Sequence, residues 1–135
     1  MKTLATLVLL LVMASTASAA IARVTSPSGG GGPLNVIHDG LKPPVGSADS
    51  RAQWDSYDGA NAVTEDWVGY SFASPHTFDK VVFQEGKHFI DGGWFESMTV
   101  QVRQDGRWVT VSNLSSAPLY AGNDGVSFNT YTLAF

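Results

Sequence analysis

The sequence predicts an all-β, antiparallel, sandwich-like domain, and three observations support this prediction. Apolar and polar residues alternate in five segments: residues 66–72, 78–85, 97–104, 107–111 and 126–135. These segments are rich in β-branched and aromatic residues, which suit strands with one buried face. After residue 20, no segment combines a sustained helical period with helix caps. An antiparallel β-sandwich accommodates this pattern.

The segment before Asp105-Gly106 shows the alternation most clearly. Met98, Val100 and Val102 share one face of a strand, and we expect them to point into the core. Asp-Gly between two alternating runs is typical of a two-residue β-hairpin turn. We therefore expect a hairpin that joins this strand to residues 107–111, and we interpret its Trp108 as a structural residue.

The N-terminus has the three parts of a secretory signal peptide. Lys2 is basic, Thr3 to Met13 is mostly apolar, and Ala17-Ser18-Ala19 offers a small-residue cleavage site. Residues 1–19 are therefore predicted to be a signal peptide; the alternative is a membrane anchor, for which the apolar run is short. The expected location is secreted and extracellular, or else periplasmic or at the cell surface, without membrane contact after cleavage.

Two further domain boundaries follow from composition. Residues 20–35 contain Ser-Pro-Ser and four glycines, which predicts a flexible linker. Residues 36–135 are predicted to form the sandwich domain. Its long irregular stretches, residues 38–65, 86–96 and 112–125, are rich in Gly, Asp, Asn and Ser, and loops of this length in a compact domain often carry function.

The composition and the motifs disfavour several functions. The chain has 8 Lys and Arg and 12 Asp and Glu, a net charge of −4, and no basic cluster, so nucleic acids are not expected partners. Cysteine is absent, which excludes disulfides and thiolate metal sites. The G-x-S-x-G and HExxH motifs are absent too. We therefore expect no enzyme; a hydrolase fragment with two paired carboxylates is the less favoured alternative.

The order of motifs along the chain resembles a known family. Ile37-His38-Asp39-Gly40 is followed by Trp54, by DWVGYSF, by TFDKVVFQ and by GGWFESMTVQVRQDGRWVTV. This order resembles the discoidin, or coagulation factor 5/8 type C, family. The resemblance implies a jelly-roll β-sandwich of the galactose-binding-like kind, acting as a secreted, non-catalytic carbohydrate-binding module. Family members usually end with a closing strand that contains Arg and Glu, whereas this chain stops at Phe135, so we expect the domain to be truncated at its C-terminus.

Sugar binding needs an aromatic face for the apolar side of the ring and polar groups for its hydroxyls. The loop from Glu85 to Phe95 has these ingredients, and Arg51 in the first long loop is expected to form the opposite wall. The predicted ligand-binding residues are therefore Trp94, His88, Asp91, Arg51 and Phe95. The alternative is that Trp94 or Phe95 packs inward under the loop. The expected partners are glycans or a polysaccharide and other domains of a larger secreted protein; adhesion, or binding of another protein, is the alternative function.

The family resemblance also implies a structural Ca²⁺. Asp39 and Asp49 lie where family members place this ion, and carboxylate oxygens on loops are the ligands that Ca²⁺ prefers. The alternative is an Asx turn at Asp39-Gly40 and a solvated Asp49. The sequence leaves both interpretations open.

Overall fold

The computed structural model describes residues 6–7, 21–24, 34–55 and 67–135. Within these ranges the chain forms strands β1 Thr6–Leu7, β2 Ile21–Val24, β3 Val68–Ser71, β4 Lys80–Gln84, β5 Gln101–Gln104, β6 Arg107–Thr110, β7 Ser115–Ala117 and β8 Thr130–Ala134. Leu34–Ile37 and Ser50–Ala52 are short 3-10 helices. No helix in these ranges is both long and apolar enough to cross a bilayer.

The strands form three antiparallel sheets. Their orders are β1-β5-β6, β2-β3 and β4-β8-β7. The last strand along the chain, β8, lies between two partners, so both of its edges are hydrogen-bonded. The predicted all-β, antiparallel fold is therefore confirmed.

The core lies where the β4-β8-β7 sheet meets the strand that leads into β5. Val81, Tyr131 and Leu133 from the β4-β8-β7 sheet pack against Val100 and Val102. Each is buried, and burial of a Val or Leu side chain contributes about 1.5–3 kcal/mol. The inward positions predicted for Val100 and Val102 are confirmed, and Met98 packs against the same cluster.

The predicted hairpin is also confirmed. Asp105 and Gly106 both have positive φ, 49° and 79°, as a type I′ turn requires, and Gln104 pairs with Arg107 across it. Strand β6 lies at the edge of its sheet with every side chain exposed. Trp108 lies on this strand as expected and half of its surface faces solvent, so its interpretation as a structural residue stays a prediction.

Three strands lie where none was expected. Strand β2 lies in the predicted linker and pairs with β3, so residues 20–35 are not linker throughout; the glycines of this segment lie outside the described residues. Strand β7 lies in the irregular stretch 112–125 and pairs with β8. Strand β1 lies in the predicted signal peptide and pairs with β5. All three have four residues or fewer, too few for a pattern of alternation to stand out.

Candidate functional site

Three loops meet at the end of the sandwich where β4 ends and β8 begins. The loop after β4 is joined to the loop before β8 by backbone hydrogen bonds from Glu85 N to Asn129 O, 2.9 Å, and from Phe128 N to Gly86 O, 3.0 Å. The His88 backbone N–H also donates to Ser127 Oγ at 2.9 Å. These contacts extend the β4-β8 pairing beyond the sheet and fix the base of the 86–95 loop.

Gln53 joins the first long loop to the same place. Its side chain is buried, and its Oε1 accepts a hydrogen bond from the Lys87 backbone N–H. A Cβ atom on Gly86 would lie 2.8 Å from this oxygen, so a larger residue at this position would displace the Gln53 amide group. Gln53 therefore links the loop that carries Arg51 to the 86–95 loop, which the predicted site requires to lie close together.

The tip of the 86–95 loop is a tight turn that presents apolar groups to solvent. The Phe89 N–H donates to Gly92 O at 2.7 Å, and Ile90 and Asp91 between them are exposed. The Phe89 ring is 45 % exposed, and Lys87 Nζ lies 5.0 Å from its centroid. The ammonium group thus lies over one face of the aromatic ring, as in a cation–π contact.

The other two aromatic residues of this loop are half-buried. The Trp94 ring packs on His88, with centroids 5.4 Å apart, and the Phe95 ring lies 6.1 Å from that of Phe83. The Phe95 backbone is held by Tyr120, whose hydroxyl accepts from Phe95 N at 3.0 Å and donates to Phe95 O at 2.8 Å. Ligand contact by Trp94 or Phe95 stays a prediction, and Phe89 is the more exposed aromatic residue.

Behind the loop lies a cluster of titratable side chains, which we call the Glu85 cluster: Glu85, His88 and Asp124. One ligand-type atom from each lies within 4.8 Å of the others, and Glu85 Oε2 is 3.4 Å from His88 Nε2. The side chains of Glu85 and His88 are 1 % and 6 % exposed. Among the described residues, neither Glu85 oxygen and neither His88 ring nitrogen has a hydrogen-bond partner. The side chain of His88, one of the predicted ligand-binding residues, is therefore buried, and ligand contact by His88 stays a prediction.

The two carboxyl groups of the cluster have opposite pKa shifts. Burial raises the pKa of Glu85. Burial also acts to raise the pKa of Asp124, but hydrogen bonds from Val126 N, Asn129 and Tyr131 outweigh it and lower that pKa. A pair of carboxyl groups with split pKa values is what an acid–base enzyme would use. The Glu85 carboxyl group is almost wholly buried, however, so a substrate does not reach it in this arrangement.

The residues predicted to hold calcium lie together but are engaged otherwise. Asp39, Asp49 and Arg51 line one surface depression of about 400 Å³. Arg51 Nε and Nη2 donate to the two Asp49 oxygens at 2.8 and 2.9 Å, and this side-chain bonding, with the Arg51 backbone N–H, lowers the Asp49 pKa to about 2. Asp39 Oδ1 accepts from Leu41 N, which closes an Asx turn at Asp39-Gly40. In this arrangement the Arg51 guanidinium group bonds both Asp49 carboxylate oxygens and so competes with Ca²⁺ for them; calcium binding here stays a prediction.

The calcium prediction is tested by freeing Asp49. The variant Arg51→Gln removes the cation that competes for both oxygens, so Ca²⁺ should bind it more tightly than wild type in isothermal titration calorimetry. The double variant Arg51→Gln, Asp49→Asn is the control and should lose the gain. If Arg51→Gln binds no Ca²⁺ at all, Asp39 and Asp49 are not its ligands.

The fold and the site together define a class: an antiparallel β-sandwich whose clustered loops at one end offer a binding surface. A sequence model of the F5/8 type C domain matches residues 16–133, nearly the whole chain. The chain therefore belongs to the F5/8 type C domain family, as the resemblance implied. Domains of this family commonly bind carbohydrates or mediate protein interactions, are generally non-catalytic and are usually extracellular. No curated protein and no solved structure matched the chain.

Proposed function

We propose that this domain is a secreted, non-catalytic carbohydrate-binding module that contacts its glycan with the 86–95 loop and the neighbouring Arg51 loop. The observation that carries the proposal is the partly exposed Phe89 side chain with the Lys87 ammonium group over one face of its ring. An aromatic ring packs on the apolar face of a sugar, and an ammonium group donates to its hydroxyls. The buried Gln53 contact holds this surface next to the Arg51 loop.

The polar residues around Phe89 support the same proposal. Asp91 is exposed two residues along the turn, where its carboxylate can accept hydrogen bonds from hydroxyl groups. The Arg51 side chain is 90 % exposed and spends two of its five N–H donors on Asp49, so the others remain for a ligand. Trp94 stands behind this surface, against His88, and contributes to the shape of the loop.

A glycan array followed by titration of the best glycan tests the proposal. Phe89→Ala should weaken binding by about 10- to 100-fold, because aromatic residues at the centre of a binding surface commonly contribute about 2 kcal/mol or more. Trp108→Ala, which removes an exposed aromatic side chain from strand β6, is the matched control and should leave binding unchanged. Trp94→Ala should weaken binding less than Phe89→Ala does.

Two results would contradict the glycan proposal, one its function and the other its assigned surface. If the folded wild-type protein binds no glycan on a broad array, the carbohydrate function is wrong. If it binds and Phe89→Ala binds equally well, the function stands but its assigned surface is wrong.

A second candidate, binding of a protein partner, is favoured by one observation. Ile90, at the tip of the same loop, is fully exposed next to the Phe89 ring. An apolar side chain exposed to solvent at the tip of a turn suits a hydrophobic partner surface better than a sugar. Ile90→Ser separates the two candidates: glycan affinity should stay the same, whereas affinity for a protein partner that buries Ile90 should fall.

A further inference from the structure

The Glu85 cluster buries more polar atoms than its neighbours can satisfy. Burial of a carboxylate or an imidazole without partners costs free energy, and buried charged groups in proteins are usually paired or bound to a metal. Here, Glu85 and His88 approach each other at 3.4 Å, yet their four buried side-chain atoms make no well-formed hydrogen bond to any described residue, and a second carboxylate, Asp124, lies within 4.8 Å of both. We propose that Glu85, His88 and Asp124 hold a zinc ion, which the glycan-binding proposal does not require.

The spacing of the ligand atoms suits a tetrahedral ion. Zinc binds His nitrogen at about 2.0–2.1 Å and carboxylate oxygen at about 2.0–2.2 Å, so two ligands of a tetrahedral site lie about 3.3–3.5 Å apart. Glu85 Oε2 and His88 Nε2 already lie 3.4 Å apart. All three ligand atoms lie within 4.8 Å of one another, so the Asp124 carboxylate needs to move by little more than 1 Å to complete three protein ligands. A water molecule would be the fourth ligand.

The types of ligand select zinc over the common hard cations. Ca²⁺ and Mg²⁺ prefer oxygen ligands alone and in larger number. An imidazole nitrogen with two carboxylates suits a borderline ion such as Zn²⁺. Neither ring nitrogen of His88 makes a hydrogen bond to a described residue, and Nε2 lies 3.4 Å from Glu85 Oε2, so the tautomer with its proton on Nδ1 leaves the Nε2 lone pair available to a metal.

The surroundings of Asp124 resemble the support that metal-binding carboxylates usually have. Its Oδ1 accepts from Val126 N at 2.7 Å, and its Oδ2 accepts from Tyr131 Oη at 2.9 Å and from Asn129 Nδ2 at 3.0 Å. A carboxylate has about four lone-pair sites, so three hydrogen bonds orient Asp124 and leave one site for an ion. The Trp94 ring against His88 covers the cluster on another side.

An ion at this place would link two loops that are far apart in sequence. Glu85 and His88 belong to the loop after β4, and Asp124 belongs to the loop before β8. The chain has no cysteine, so a metal ion would supply the cross-link that a disulfide provides in other secreted domains. The proposed role is therefore structural, behind the glycan-binding surface.

The test begins with the purified protein treated with a chelator and then titrated with zinc chloride. We expect about one zinc ion per chain by elemental analysis and, at zinc about 100-fold above its Kd, a rise in Tm of about 10 °C or more. Calcium chloride and magnesium chloride should give little or no rise. Glu85→Gln, His88→Gln and Asp124→Asn should each abolish or greatly reduce the zinc-dependent rise, whereas Asp79→Asn, an exposed carboxylate on another loop, should retain it.

Glu85→Gln also distinguishes a metal site from a plain Glu–His pair. In a metal site, this variant without zinc should have a Tm at least equal to that of the zinc-free wild type, because an amide replaces a buried carboxyl group that makes no hydrogen bond to the described residues. In a plain pair, the variant would be less stable and zinc would change neither protein. Cobalt chloride provides a second readout: wild type should develop the visible absorption of tetrahedral Co²⁺, and His88→Gln should not. Absence of the zinc-dependent rise in wild type, or an equal rise in all three cluster variants, would overturn the proposal.

Discussion

Gly93→Ala is expected to destabilise the domain by about 3 kcal/mol and to displace the 86–95 loop. Gly93 has a φ of +106°, which side chains other than glycine rarely adopt, and strain of this kind costs about 1–3 kcal/mol. A Cβ atom at this position would lie 2.2 Å from the Lys87 carbonyl oxygen, which is a backbone atom and moves only if the main chain moves. The backbone strain and the steric clash both destabilise the variant. The clash is relieved only if the turn that carries Phe89 opens.

Gly92→Ala is a matched control one residue away. A Cβ atom on Gly92 would have no heavy atom of the described residues within 4 Å apart from its chain neighbours, and the φ of Gly92 is not positive. The free energy of unfolding of this variant, measured in urea, should therefore lie within about 0.5 kcal/mol of wild type. Glycan affinity should fall in Gly93→Ala and not in Gly92→Ala. Equal stability of the two variants would contradict the turn geometry on which the proposed surface depends.

The parts of the fold that the sequence predicts are those in which local pattern and tertiary structure agree. Val100 and Val102 alternate with polar residues over a segment long enough for the period to be clear, and they are buried. Asp105-Gly106 encodes its own turn, since the conformation depends on these two residues alone. Strand β7 is different: Ser-Ser-Ala has no strand preference, and it is a strand because β8 lies beside it.

The candidate site was only partly predictable for the same reason. The sequence indicates that the loop from Glu85 to Phe95 carries polar and aromatic groups, but it does not indicate which of them are buried. His88 is buried because a loop about 40 residues further along, with Ser127 and Asp124, folds over it. Glu85 directly follows strand β4, and a charged residue next to the partly buried end of that strand was the one local indication of a buried carboxyl group. Asp124 lies near Glu85 because β4 pairs with β8, and no spacing in the sequence encodes that pairing.

Phe128→Ala is expected to cost about 3–5 kcal/mol of unfolding free energy, because Phe128 is 1 % exposed and the loss of a buried ring leaves a cavity. Phe89→Ala is the matched control for the substitution itself. It removes the same ring from an exposed position, so it should change stability by about 0.5 kcal/mol or less while it weakens glycan binding. Urea denaturation of both variants separates the residue that supports the site from the residue that faces the ligand.

Phe128 has a second property, which makes the expectation more specific. Its φ is 59°, a left-handed conformation that is strained for a residue with a Cβ atom, so burial of the ring offsets a local backbone cost. Alanine removes the burial and keeps the strain, whereas glycine removes both. Phe128→Gly should therefore be more stable than Phe128→Ala by about 1 kcal/mol, although glycine is usually the more destabilising replacement. The opposite order would mean that the backbone at residue 128 is not left-handed, and that the junction between Gly86 and the loop before β8 is built differently.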